Sequence, residues 1–79
     1  MIPIFRNGAW IHYTVPVDME RHWNSSMKRQ AASLYATAVS KGISPSQSAM
    51  LAECSVNKQL YPGLQYNKSI EELLQQFQV

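Results

Sequence analysis

Asp18 to Gly42 reads DMERHWNSSMKRQAASLYATAVSKG, the longest stretch of the chain with one consistent reading, and the rest of the fold needs it as a packing surface. Met19, Trp23, Met27, Ala31, Leu34, Tyr35 and Ala38 recur at three- and four-residue spacing and fill one arc of a helical wheel. The expectation is a long amphipathic helix over 19–41. Asp18 suits its N-cap, because a carboxylate accepts from first-turn amides and complements the positive end of the helix dipole. Pro16 keeps the start downstream of itself. Lys41 and Gly42 suit the C-terminus, where a cation and a left-handed residue are favoured. The weak point is Asn24-Ser25-Ser26, three poor helix formers in succession, where bending or fraying is expected.

Upstream, residues 2–15 (IPIFRNGAWIHYTV) are two apolar runs joined by Asn7-Gly8, a pair that accepts the positive φ angles of a type I′ turn. A two-residue loop sets Arg6 opposite Ala9, Phe5 opposite Trp10, Ile4 opposite Ile11 and Ile2 opposite Tyr13. Alternation then assigns Ile2, Ile4, Ile11, Tyr13 and Val15 to a core face, and Phe5, Trp10, His12 and Thr14 to the other. Pro3, with no amide hydrogen, marks the first strand as an edge. A lone hairpin is barely stable in water, so this one must lean on the helix or pair with a second copy through its outer strand, as a homodimer.

Downstream, Ser44 with Gln47 is a capping box with Pro45 at the first helical position, so a second helix is expected over 45–60. Its buried side is read as Ala49, Met50, Cys54 and Tyr61, and Ser55-Val56-Asn57 weaken its end. Pro62-Gly63 is a turn and Leu64-Gln65-Tyr66 an extended linker. Ser69, with Glu72 completing a capping box, opens a third helix over 70–78, where Ile70, Leu73, Leu74 and Phe77 form an apolar stripe. The fold class is therefore α+β: an N-terminal β-hairpin, a long amphipathic helix and two shorter helices, in a single small domain over 1–79. No internal repeat is visible.

Composition narrows function by exclusion. At 79 residues, with nearly half of them apolar and few charged, the chain suits one small hydrophobic core and not wholesale disorder. Cys54 is the single cysteine, which excludes an internal disulfide and a Cys-based zinc cluster. No run approaches the roughly 18 apolar residues of a membrane span. Arg6-Asn7-Gly8 interrupts the first apolar stretch too early for a signal peptide. The expectation is a cytoplasmic protein without membrane contact. His12 and His22 lack metal-ligand spacing, Glu71 and Glu72 point apart on a helix, Cys54 reads as a buried inert thiol, and no serine sits in a nucleophile elbow. Neither enzymatic activity, a metal nor a cofactor is expected.

Two surfaces remain. Phe5, Trp10 and His12, with Arg6 at the same end, form an aromatic patch of the kind that anchors a protein partner. Arg21, Lys28 and Arg29 lie outside the apolar arc of the first helix and add positive charge, in a chain whose first half is basic and second half faintly acidic. The first reading is a non-enzymatic module that binds a protein partner, masking or bridging it. That is the profile of small accessory proteins of phages and plasmids that inhibit host machinery. Aromatics beside Arg6 also allow stacking on unpaired bases.

The second reading comes from LYATAVSKGISPSQSAMLAE, Leu34 to Glu53. Ala38, Gly42, Ile43 and Ser44 resemble the middle of a helix-turn-helix: a small residue at the crossing, a glycine turn, a capped second helix. The resemblance implies a DNA-binding transcriptional regulator contacting nucleic acid through Ser44, Ser46, Gln47 and Ser48. Thr37, Lys41 and Gln47 depart from the motif's apolar positions, and the second helix has no Arg or Lys in its first turns, where phosphate contacts would be wanted.

Overall fold

A computed structural model describes residues 1–77. Strands β1 (Ile2–Arg6) and β2 (Ala9–Tyr13) form an antiparallel hairpin, followed by helices α1 (Ser25–Ser40), α2 (Pro45–Leu60) and α3 (Lys68–Phe77). The α+β class and the order of elements match the sequence reading. The expected end of the last helix at residue 78 lies outside the described residues.

The hairpin register is the expected one, Arg6 with Ala9, Phe5 with Trp10, Ile4 with Ile11, Ile2 with Tyr13, and additionally Pro3 with His12. Asn7 and Gly8 have φ of 52° and 78°, the two left-handed positions that a type I′ turn requires. Tyr13 and Val15 are buried, and Ile2 and Ile4 pack half-buried against the same cluster.

The central helix departs from expectation. Asp18 caps nothing: Val17–Met19 is a single 3-10 turn, the chain leaves helical geometry, and α1 starts at Ser25. Asn24 is the N-cap, its side chain accepting from Met27 N–H at 2.9 Å. The stretch expected to fray is thus the true start, because Asn and Ser gain more by capping than by sitting inside a helix. At 16 residues α1 equals α2, so the pattern of one long helix and two shorter ones does not hold.

Nor is α1 a simple amphipathic helix. It packs against both strands and against α2, while α3 packs on α2, so the order of contact is hairpin, α1, α2, α3. A helix with neighbours on two sides needs small residues, and Ala31, Ala32, Ala36 and Ala38 are all fully buried. Two apolar clusters result. One gathers Tyr13, Val15 and Trp23 with Ala31, Ala32, Ala52 and Val56; the other gathers Ala38, Leu51 and Cys54 with Ile70 and Leu74.

Helix α2 has the expected bounds and cap, with Ser44 Oγ accepting from Gln47 N–H at 3.2 Å. Its buried arc is broader than expected because it sits between α1 and α3: Ser48, Leu51, Ala52, Cys54, Val56 and Asn57 are buried, and Ala49 and Met50 half-buried. Tyr61 is exposed instead, since the helix ends at Leu60 and the backbone turns away (φ −130°, ψ 84°). In α3 the stripe holds, with Ile70 and Leu74 buried and Leu73 and Phe77 packed beside them. Its cap is Asn67, accepting from Ile70 N–H at 2.9 Å, with Glu71 accepting from Tyr66 N–H at 3.2 Å, in place of Ser69 and Glu72.

Trp23 ties the pieces together. Its indole N–H donates to Asn57 Oδ1 at 2.8 Å, and Asn57 Nδ2 donates to the Tyr66 hydroxyl at 3.2 Å. Trp23 and Asn57 are both buried. An indole donor sealed from water without its acceptor costs about 1–3 kcal/mol. Asn57→Ala is therefore expected to lower the unfolding free energy by roughly 2–3 kcal/mol in urea titration. In the same assay Asn24→Ala should cost about 1 kcal/mol through the lost cap, while Asp18→Ala stays within about 0.5 kcal/mol.

Candidate protein-binding face

With the inward side of the hairpin spent on the core, its outward side is free. Phe5 is 57% exposed and Trp10 63% exposed, although both are large and apolar. Their rings meet across the strands edge-to-face, with centroids 5.2 Å apart. This is the cross-strand partnership that the register requires, and it holds the two rings in one arrangement. His12 and Pro3 continue the same exposed face. Helix α3 makes no contact with the hairpin, so it does not cover these residues.

Arg6 does not join them. Alternation turns it inward, where its guanidinium donates to Ser33 Oγ at 3.0 Å and pins the turn end of the hairpin to α1. Of the three basic residues assigned to the first helix, Arg21 lies in the irregular segment before α1, so its helical spacing from Lys28 does not exist. The Lys28 ammonium is engaged by Glu20 at 3.4 Å. Arg29 is exposed and precedes Ser33 by one helical turn, which puts its charge on the Arg6 side of α1. The structure thus brings Phe5, Trp10 and His12 together, tethers Arg6 inward at the turn end, leaves Arg29 exposed on α1, and does not place Arg21 and Lys28 on one helix face.

The surface expected of a helix-turn-helix is changed more deeply. Ser48 is fully buried and its hydroxyl donates to the Ile43 carbonyl at 3.3 Å, so it cannot face a ligand. Ser44 is occupied as the cap, which leaves Ser46 and Gln47 exposed. At the far end Gln59 Nε2 donates to Gln30 Oε1 at 2.9 Å. From the turn those residues lie roughly 17 and 21 Å along their helices at 1.5 Å per residue. They meet only if the helices run back along one another, an antiparallel αα-hairpin rather than the steep crossing of a helix-turn-helix. The resemblance at Ala38 to Ser44 is one of turn and cap alone.

The support beneath the face has its own electrostatics. Tyr13, opposite Ile2 at the open end of the hairpin, is 2% exposed, and its ring packs against Tyr35 with centroids 5.2 Å apart. Its hydroxyl has no hydrogen-bond partner among the described residues. Burial pushes the Tyr13 phenol far up, with the Glu53 charge and then Tyr35 adding to it. Glu53 is itself raised, by burial first and by the Asp18 charge second. Cys54 is buried, its thiol pushed up by burial and then by Glu71, with Lys58 opposing, which keeps it protonated and unreactive. Among the described residues no concave pocket forms, and no group of three or more His, Cys, Asp or Glu side chains comes together as a metal site. No described helix is long and apolar enough to cross a membrane.

Comparison with known proteins found no matching family model, no matching curated protein and no matching solved structure. Sequence reasoning located Phe5, Trp10 and His12 through the Asn-Gly register. It missed the inward tether of Arg6, although the same alternation that places Ile2 and Ile4 on the core face places Arg6 there too.

Glu53 supplies a test of the site's support. A carboxyl raised above its unfolded value of 4.5 favours folding most when protonated, and that contribution is lost as pH rises through the folded pKa. Glu53→Gln removes the half-buried charge. It is expected to raise the melting temperature at pH 7, and the gain over the parent should shrink as pH falls through the raised folded pKa and be gone below about 4.5, where both states are protonated.

Proposed function

We propose that this chain is a small non-enzymatic protein-binding module that masks or bridges a macromolecular partner through the outer face of its hairpin. The observation that carries the reading is the Phe5–Trp10 pair: two large apolar side chains more than half exposed, locked edge-to-face, on a strand pair whose other side is core. Exposed aromatics in fixed geometry lose little conformational entropy on binding, and aromatic anchors dominate the energetics of protein interfaces. His12 extends the face and Arg29, with Arg6 behind it, gives its turn end positive charge, which suits a partner surface with an apolar centre and acidic margin. A cytoplasmic accessory or inhibitory role of the phage or plasmid type fits a chain of this size and composition.

The DNA-binding alternative rests on Ser46 and Gln47 alone, and the antiparallel packing of α1 and α2 weighs against it. Two measurements separate the readings. Trp10→Ala is expected to weaken an affinity-captured partner by about 2 kcal/mol, roughly 30-fold, with an unchanged circular dichroism spectrum, while Gln47→Ala has little effect. Fluorescence anisotropy against random duplex and single-stranded DNA should show no binding at low or physiological salt. Binding that falls steeply as salt rises would instead mark a phosphate-contacting surface and overturn the proposal.

A further inference from the structure

The two free edges of the hairpin are not equivalent. Residues flanking a two-residue turn exchange the first pair of strand hydrogen bonds, here Arg6 and Ala9, and such pairs alternate along the ladder. Ile4 with Ile11 and Ile2 with Tyr13 are then bonded pairs, while Phe5 with Trp10 and Pro3 with His12 are not. Pro3 falls at a non-bonded position, as a residue without an amide hydrogen must. The backbone groups of Pro3 and Phe5 therefore point off the β1 edge, and those of Trp10 and His12 point off the β2 edge. Pro3 blunts the first edge. The second, AWIHY, carries no proline, no lysine and no bulge, the devices by which sheet edges are normally kept from pairing.

Ile11 makes the same point from the other side. It lies on the inward face with Ile4, yet it is only half-buried and stands outside both apolar clusters. The core covers β2 at Tyr13 but leaves Ile11, two residues nearer the turn, only half-covered.

We infer that the β2 edge pairs with the β2 edge of a second copy of this chain, antiparallel about a two-fold axis at Ile11. Trp10 of each copy then exchanges backbone hydrogen bonds with His12 of the other, both being the residues whose groups already point outward. The two Ile11 side chains meet as a non-bonded pair, the closer kind, and cover each other. The interface is isologous, as a two-fold demands. Antiparallel pairing sets each turn end beside the other copy's open end and so keeps the two Arg6 side chains apart, whereas parallel pairing would set like charge beside like. The product is a four-stranded sheet whose outer face carries two Phe5–Trp10 pairs. This inference goes beyond the recognition role and does not require it.

Five-residue strands join less surface than the roughly 800 Å² per partner of a standard interface, so the dimer should be weak and concentration-dependent. Sedimentation equilibrium of the full chain from about 10 µM to 1 mM is expected to show the mass rising from 9.0 kDa toward twice that value. His12→Pro, which places on β2 the block that Pro3 places on β1, should remain at the monomer mass with an unchanged far-ultraviolet spectrum. Ile11→Lys, a charge at the axis, should do the same if the proline variant fails to fold. Phe5→Ser lies on the blocked strand and should dimerise like the parent even where it abolishes partner recognition, so the two proposals fail separately. A mass fixed at 9.0 kDa across the range overturns the inference. So does a dimer that persists in His12→Pro and Ile11→Lys, or one that Phe5→Ser removes.

Discussion

The fold depends on one buried polar chain, Trp23 to Asn57 to Tyr66. A tryptophan sealed in a core brings a donor that must be answered, and Asn57 answers it from α2 while passing its own amide hydrogen to Tyr66. The three residues come from the segment before α1, the last turns of α2 and the linker before α3. Only Asn57 sits in a regular element; Trp23 and Tyr66 lie in the irregular segments on either side. A purely apolar contact would tolerate sliding by a residue or more; a directional hydrogen bond does not, so this chain sets the register in which α2 lies along α1 and α3 follows. It also explains why the backbone abandons helix between Met19 and Asn24. Continuing the helix would require Asn24, Ser25 and Ser26 at interior positions, where they are weak, and would forgo the cap that Asn24 supplies.

What could be read from the chain, and what could not, divides by the range of the interaction. The hairpin register follows from Asn7-Gly8, because the turn requires positive φ at both residues and few other pairs accept it. The start of α2 follows from Ser44-Pro45 and the stripe of α3 from its spacing, both local rules. The start of α1 was open to two answers, since Asp18 and Asn24 are each competent caps, and the choice lies in where Trp23 finds its acceptor 34 residues away. Asn57 looked like a weak helix former because propensity describes an isolated helix, not one with an indole beside it. The alanines of α1 were half legible. Ala31 and Ala38 fell on the apolar arc, while Ala32 and Ala36 marked the second packed side that only tertiary contact reveals.

Charge underwent a similar sorting. The first half of the chain is basic in composition, yet several of its charges are engaged within the fold. Lys28 is held by Glu20, Arg6 is turned in to Ser33, and Lys41 sits over the Phe77 ring at 5.5 Å, while Lys58 pairs with Glu71. Partners close in space, not neighbours in sequence, decide which charges remain available. The candidate face is accordingly aromatic at its centre with positive charge at one margin, a chemistry suited to recognising shape and apolar area before charge.

The middle layer beneath the hairpin has a mechanical side. Alanine has no side-chain torsion to yield, and Ala31 and Ala32, both fully buried, lie in the cluster that joins the hairpin to α2 across α1. Larger residues absorb a load by changing rotamer, and here that freedom falls to Met27 and Tyr35 at the margin of the cluster while the alanines stay fixed. A push on the strands above the alanines is passed to α1 as displacement of the whole element.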